Sequence, residues 1–267
     1  MLKFISFGSG SSGNCYCLYT EQEGLLIDAG VGIRTLKKYI KNYGLSLNNM
    51  HNLLITHDHA DHIKSAGWLS IDPGVNVYAT QNVHQGIENN YCVRKKVASE
   101  HIKIIKANVP FNIGEYHITP FQVPHDSTDN MGYKIVYHNI TFVLITDAGH
   151  ITSDMQHFIN EANYLVIEAN HDETMLTQGP YPAHLKERIL SPNGHLSNQA
   201  CGEALAQCAT PALKNVWLCH LSEENNHPVL AQKTIEDILK AHGIITGIDF
   251  HLEVLKRKLP SGYKELI

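Results

Sequence analysis

No stretch of the 267 residues approaches the ~18 to 20 consecutive apolar residues needed to cross a bilayer, so no membrane partner is expected. The apolar start, Met1 to Phe7, is too short for a secretory signal and runs straight into Gly8-Ser9-Gly10. It reads as a first strand and a tight turn in a cytoplasmic protein. Cysteines are few and scattered, at 15, 17, 92, 201, 208 and 219, with no Cys-x-x-Cys pair. That pattern fits neither a disulfide framework nor a structural zinc knuckle. There is no low-complexity linker and no short-period repeat, so a single domain over 1–267 is expected. An excess of positive charge is also missing. The net charge is −5, which gives no global footprint for nucleic acid. Bound divalent cations would reverse the local sign, so that substrate class stays open. What the chain does hold is an ordinary apolar fraction of 43%, enough for a real core, and 18 histidines. Histidine is the commonest metal ligand, so its placement is the next question.

Several short apolar runs read as buried strands, and each stops at a chemically active residue. Gly24–Ile27 stops at Asp28, and Asn52–Thr56 at His57. Ile118–Pro124 stops at His125, and Thr141–Thr146 at Asp147. Tyr164–Ile167 stops at Glu168, and Val216–Cys219 at His220. Ligands collected at the carboxyl ends of packed strands are a common way for a sheet to build a site. Helices are expected between the runs. One carries Ile33, Leu36 and Ile40, and one opens at a Ser153–Gln156 capping box. Others start at Pro182, Ser197 and Pro228. The last strand is expected over 248–255. Alternating strands and helices argue for an α/β (α+β) protein with sheets covered by helices.

His57-Asp58-His59-Ala60-Asp61-His62 concentrates four ligand groups in six residues. In an extended segment, positions 57 and 59 point to one side. Asp61 and His62 turn elsewhere as the chain tightens, so one segment can serve two cations. Imidazole suits zinc and its neighbours, and carboxylate adds a harder ligand. About three further ligands must come from elsewhere. His125, Asp147 and His220 are the strand-end candidates. Two smaller motifs are candidate phosphate seats. Gly10-Ser11-Ser12-Gly13-Asn14 offers Ser11, Ser12 and Asn14 in a glycine-rich turn. Gly194-His195-Leu196-Ser197-Asn198 offers His195, Ser197 and Asn198 at a helix start.

Together, Asp28, the central motif, His125, Asp147 and His220 resemble the metallo-β-lactamase superfamily. Narrower stretches resemble its YycJ (WalJ)-type metallo-hydrolases. These are Gly10–Asn14, Thr56–Ile63, Glu168–Asp172, Arg188–Ser191, Gly194–Asn198 and His220–Asn226. The resemblance implies a four-layer αββα sandwich. It implies one divalent metal on His57, His59 and His125, and a second on Asp61, His62 and His220. Asp147 would bridge them and Asp28 would orient the cluster. The metals would be zinc or manganese, with iron or nickel possible on purification. Some relatives carry glutamate where His59 stands, which suits iron redox chemistry; imidazole here disfavours it. A bridging carboxylate suits a close metal pair.

The implied activity is a 5′-to-3′ exonuclease on DNA, by attack of a metal-bridging hydroxide. Asp61 and Asp147 would be catalytic, with His195 contacting the phosphate or protonating the leaving oxygen. His171 and Asp126 are weaker candidates. Two alternatives stay open: a hydrolase of a small ester, lactone or thioester, and a non-catalytic binding module.

Overall fold

The computed structural model describes residues 1–267, which divide into two compact units. The first holds Met1–Val109, Ser127–Met131 and Lys256–Ile267. Its strands are β1 (Leu2–Gly8), β2 (Cys15–Tyr19), β3 (Gly24–Ile27), β4 (Met50–Leu54), β5 (Asn76–Ala79) and β6 (Ile102–Ile104), joined by the C-terminal β14 (Tyr263–Leu266). They form one sheet in the order β14-β1-β2-β3-β4-β5-β6. β1 to β3 pair antiparallel, and β3 to β6 pair parallel. Parallel neighbours need crossovers. These are α1 (Ile33–Asn42), the short α2 (Ala60–Ile63) with α3 (Ala66–Ile71), and α4 (Gln81–Asn89). Leu36 and Ile40 of α1, Leu69 of α3, and Val83 and Ile87 of α4 pack with Ile5, Leu26, Leu53 and Val77 of the strands.

The second unit holds Pro110–Asp126 and Gly132–Leu255. Its strands are β7 (Phe111–Ile113), β8 (Tyr116–Gln122), β9 (Met131–Tyr137), β10 (Ile140–Ile145), β11 (Tyr164–Glu168), β12 (Asn215–Cys219) and β13 (His251–Val254). The sheet order is β13-β12-β11-β10-β9-β8-β7, with β10 to β13 parallel. The connecting helices are α5 (Ser153–Glu161), α6 (Glu173–Gln178), α7 (Ala183–Leu190), α8 (Asn198–Cys208) and α9 (Pro228–Ala241). Met155 and Ile159 of α5, Cys201 and Leu205 of α8, and Ile235 and Leu239 of α9 cover Val143, Leu165, Val216 and Leu218. Each inner helix face alternates with the strand residues that point at it, as the 3.6 and 2.0 periods require.

The register explains why strand ends collect chemistry. Ile145, Ile167 and Leu218 are aligned across β10, β11 and β12. Asp147, Glu168 and His220 follow them within two residues, so the three carboxyl ends finish level. Five residues other than glycine have positive φ, and three of these are strand-end residues: Asp28 (59°), Asp147 (54°) and His220 (52°). A left-handed residue turns the chain sharply and is costly except for Gly, Asn and Asp. The two aspartates suit this conformation, and at His220 it marks strain kept for a purpose.

Some boundaries differ from the sequence reading. Thr152, not Ser153, caps α5, with its side chain accepting from Met155 N. Pro182 is the cap of α7 rather than its first residue. The last expected strand is shorter than 248–255. Gly247 turns at φ 83° and Asp249 Oδ2 accepts from Ile245 N, so β13 begins only at His251. The chain then continues to β14, which pairs with β1 through Leu2 and Leu266. Ser197 caps α8 as expected, accepting from Ala200 N at 3.1 Å.

Candidate metal centre

In the first unit, Asp28 organises the segment after β4. Its Oδ1 accepts from Thr56 N at 2.8 Å, and Thr56 Oγ1 donates to Oδ2 at 2.9 Å. His62 Nδ1 lies 2.7 Å from the same Oδ2. Burial raises the Asp28 pKa, while His62 and Thr56 pull it back down. Thr56 Oγ1 also lies 3.0 Å from His57 Nδ1. The His57 ring stands 4.1 Å from that of His62 and 4.7 Å from that of His59, centroid to centroid. The turn residues stitch this segment from behind. Asn14 N donates to Asp61 O, Gly30 N to Asn14 O, and Ala29 N to His62 O. Gly30 must be glycine, because a Cβ there would stand 1.5 Å from the Asp61 carbonyl oxygen.

The second unit brings together Asp147, Glu168, His195 and His220, whose ligand atoms all lie within 4.8 Å of one another. Glu168 Oε1 lies 2.9 Å from both His195 Nδ1 and His220 Nδ1. Its Oε2 accepts from Ala148 N at 2.8 Å and Leu196 N at 3.1 Å. Burial opposes ionisation of Glu168, but the two histidines outweigh it and hold the carboxyl well below its usual range. Burial pulls His195 down, and the Glu168 charge and hydrogen bond overcome it, so its pKa is raised. Asp147 Oδ2 accepts from Thr146 Oγ1 at 2.7 Å, and Oδ1 lies 3.4 Å from His220 Nδ1. His125 Nδ1 sits 3.0 Å from the Gly194 carbonyl oxygen, and Nε2 is 3.8 Å from Asp147 Oδ1.

The remaining expected residues divide by environment. Ser11 and Ser12 are exposed on the turn. Asn14 is fully buried, accepting from Gly10 N and donating to Asp61 Oδ2 at 3.2 Å, with the same nitrogen 2.9 Å from His62 Nε2. It is therefore placed to orient Asp61. Ser197 Oγ donates to Glu173 Oε1, and Asn198 pairs with Asn226 inside the fold. Asp126 is held at two points by Arg188. Asp58 Oδ1 accepts from Thr128 N.

Sequence reasoning gave no role to Glu168 or Thr56. Glu168 does end an apolar run as Asp147 and His220 do, and that was the available signal. Thr56 looked like one more strand residue.

These donors fit a divalent metal. Imidazole and carboxylate suit zinc and manganese. The Nδ1 atoms of His57, His62, His125 and His220 each contact an oxygen: Thr56 Oγ1, Asp28 Oδ2, Gly194 O and Glu168 Oε1. Metal-ligating histidines are oriented in this way by their second nitrogen.

The pattern of the Beta-lactamase superfamily domain matches residues 24–221. The chain belongs to this superfamily. It is 32% identical over 260 residues to a Bacillus anthracis protein named Exodeoxyribonuclease YycJ, covering 97% of each chain. It is 35% identical over 248 residues to Exodeoxyribonuclease WalJ of Streptococcus pneumoniae serotype 2, covering 93% of this chain and 92% of that one. Among solved structures, Zn(2+)-bound PqqB from Methylobacterium extorquens matches with a TM-score of 0.71 at 16% identity, covering 97% and 99% of the two chains. The metallo-β-lactamase fold expected from the sequence is the fold of this superfamily member, and the protein is a metal-dependent hydrolase. No helix is long and apolar enough to cross a membrane.

His171 of this superfamily member is buried, with neither ring nitrogen hydrogen-bonded. Burial pushes its pKa down to about 4, from an ordinary 6.5. Between those values the unfolded chain binds a proton that the folded chain does not. The stability contribution is therefore complete above about pH 6.5 and is lost as pH falls towards 4. His171→Leu removes this titration. Its Tm is expected to fall less than the wild type's between pH 7 and 5; equal falls would contradict the assignment.

Proposed function

We propose that this hydrolase is a dinuclear phosphodiesterase that degrades DNA from the 5′ end. The observation that carries the reading is the set of histidines pinned at Nδ1, joined to the exodeoxyribonuclease names of the two relatives. The family pattern assigns His57, His59 and His125 to one cation and Asp61, His62 and His220 to the other, with Asp147 shared. Zinc and manganese both suit these donors, and iron or nickel can load on purification. When bound, the cations supply a lowered water pKa and neutralise phosphate charge.

The chain's own residues do the rest. Asp28, Thr56 and Asn14 hold His62, His57 and Asp61 in place. Glu168 fixes His195 through Nδ1, so Nε2 is the atom that meets the leaving oxygen and delivers a proton. The raised His195 pKa keeps that proton available near neutrality. Ser11 and Ser12 contact phosphates of the substrate, while Ser197 and Asn198 act by seating the His195 loop.

Glu168→Gln tests the orienting step. An amide cannot accept from both histidine nitrogens and both backbone N–H groups with the strength of a carboxylate. The expected loss in kcat is about 10- to 100-fold, the usual effect of removing a partner of a metal-site histidine. KM should change little. An unchanged kcat would remove Glu168 from the mechanism.

The function itself is tested by chelating the protein, reloading it with manganese and adding 5′-phosphorylated single-stranded DNA. Mononucleotide release is expected. No release, together with hydrolysis of a lactone or thioester panel, would identify a small-molecule hydrolase instead.

A further inference from the structure

The net charge of −5 hides a strong local asymmetry in the first unit. Helix α1, IRTLKKYIKN, has four cations and no acid. Lys256, Arg257 and Lys258 form a second run just before β14. The two meet. Tyr39 of α1 donates through Oη to the Lys258 carbonyl oxygen, and Ser9 N of the Gly/Ser turn donates to the Arg257 carbonyl oxygen. Between them lies a cavity of about 170 Å³, lined by Ser12, Gly13, Gly32, Thr35, Arg257 and Lys258 among others. None of the cavity's lining residues is acidic.

We propose that this cavity binds a backbone phosphate of the nucleic-acid strand, one that is not being cut. The proposal rests on the nuclease reading above and names a second contact for that substrate. The volume of about 170 Å³ is ample for a phosphate group. Arg257 and Lys258 supply charge, with the Ser12 and Thr35 hydroxyls as donors. Gly32 caps α1 without a side-chain hydrogen bond, so no side chain of the cap competes for the first-turn amides. The place in the fold supplies the link to catalysis. The cavity wall, Ser12-Gly13, runs directly into Asn14, which holds Asp61 and His62. A strand gripped here is held next to one half of the ligand set. An acidic protein would thereby offer a polyanion a local positive site, supplied by Arg257 and Lys258.

Two readouts test this separately from the nuclease reading. The first is binding of a fluorescent 12-nucleotide single strand to metal-free protein, followed by anisotropy over a salt series. The second is manganese-dependent hydrolysis of that strand and of bis-p-nitrophenyl phosphate, which has no flanking phosphate. R257A/K258A is compared with wild type and with K240A, an exposed cation on α9 of the other unit. The double variant is expected to bind the strand at least tenfold more weakly. Its slope of log affinity against log salt should be shallower by about 0.7, one single-strand phosphate contact. Hydrolysis of the small ester should be unchanged. Binding and slope no different from K240A would overturn the proposal. So would an equal loss on both hydrolysis substrates, which would mean general damage. Inhibition by inorganic phosphate that disappears in the double variant, with strand binding intact, would overturn the strand assignment in favour of a free-phosphate site. If wild type hydrolyses neither substrate, the phosphodiesterase reading fails, while the binding arm still decides the cavity.

Discussion

Asp147→Asn is expected to lower phosphodiester hydrolysis on the order of a thousandfold or more while leaving the fold in place. Asparagine is the informative choice. Asp147 has φ 54°, a backbone conformation that asparagine tolerates and alanine adopts only at a cost of about 1–2 kcal/mol. The amide can still accept from Thr146 Oγ1, which now donates to Oδ2 at 2.7 Å. What the variant loses is a full negative charge, shared in the proposed assignment by both cations. Metal-ion catalysis supplies several kcal/mol of transition-state stabilisation, and each 1.36 kcal/mol is tenfold in rate. Tm should stay near wild type in the metal-free protein, with kcat/KM the quantity that collapses. Full activity in Asp147→Asn would mean that no shared carboxylate is needed.

The second large effect is expected at Asp28. Its carboxylate is completely buried and takes three partners, Thr56 N, Thr56 Oγ1 and His62 Nδ1. Alanine would leave those partners unsatisfied, which costs about 3–5 kcal/mol when a buried charged partner is removed. Asp28→Asn separates positioning from folding. The amide oxygen can still serve Thr56 N, but an N–H would face His62 Nδ1. That favours the ring form with its proton on Nε2, the nitrogen a metal would need. The expected result is a modest drop in Tm with a loss of metal affinity of roughly 10- to 100-fold or more. Chelator competition measures the affinity, and thermal unfolding of the metal-free protein measures the rest. Equal metal affinity in Asp28→Asn would contradict the orienting role.

Much of the candidate site was legible because buried strands and the polar residues at their ends share one pattern. A buried parallel strand reads as an apolar run, and its first polar residue falls at the sheet's carboxyl edge. Asp28, His57, His125, Asp147, Glu168 and His220 are the residues that this pattern picks out. What was not legible depends on partners far away in sequence. Asn14 reads as part of a glycine-rich phosphate seat, yet its carboxamide is buried against Asp61 and His62, 47 and 48 residues on. Glu168 reads as one more polar residue after a run, and its importance appears only where two histidines and two amides converge on it. β14, with the sequence YKEL, has too little apolar periodicity to be read as a strand, and it exists because β1 offers it an edge.

The central claim is a pair of cations sharing Asp147. Its most direct test is manganese titration of the chelated protein, followed by electron paramagnetic resonance. The account predicts two Mn²⁺ per chain with an exchange-coupled spectrum in wild type, and loss of the coupling in Asp147→Asn. One ion per chain, or two ions with the spectrum of isolated Mn²⁺, would contradict it.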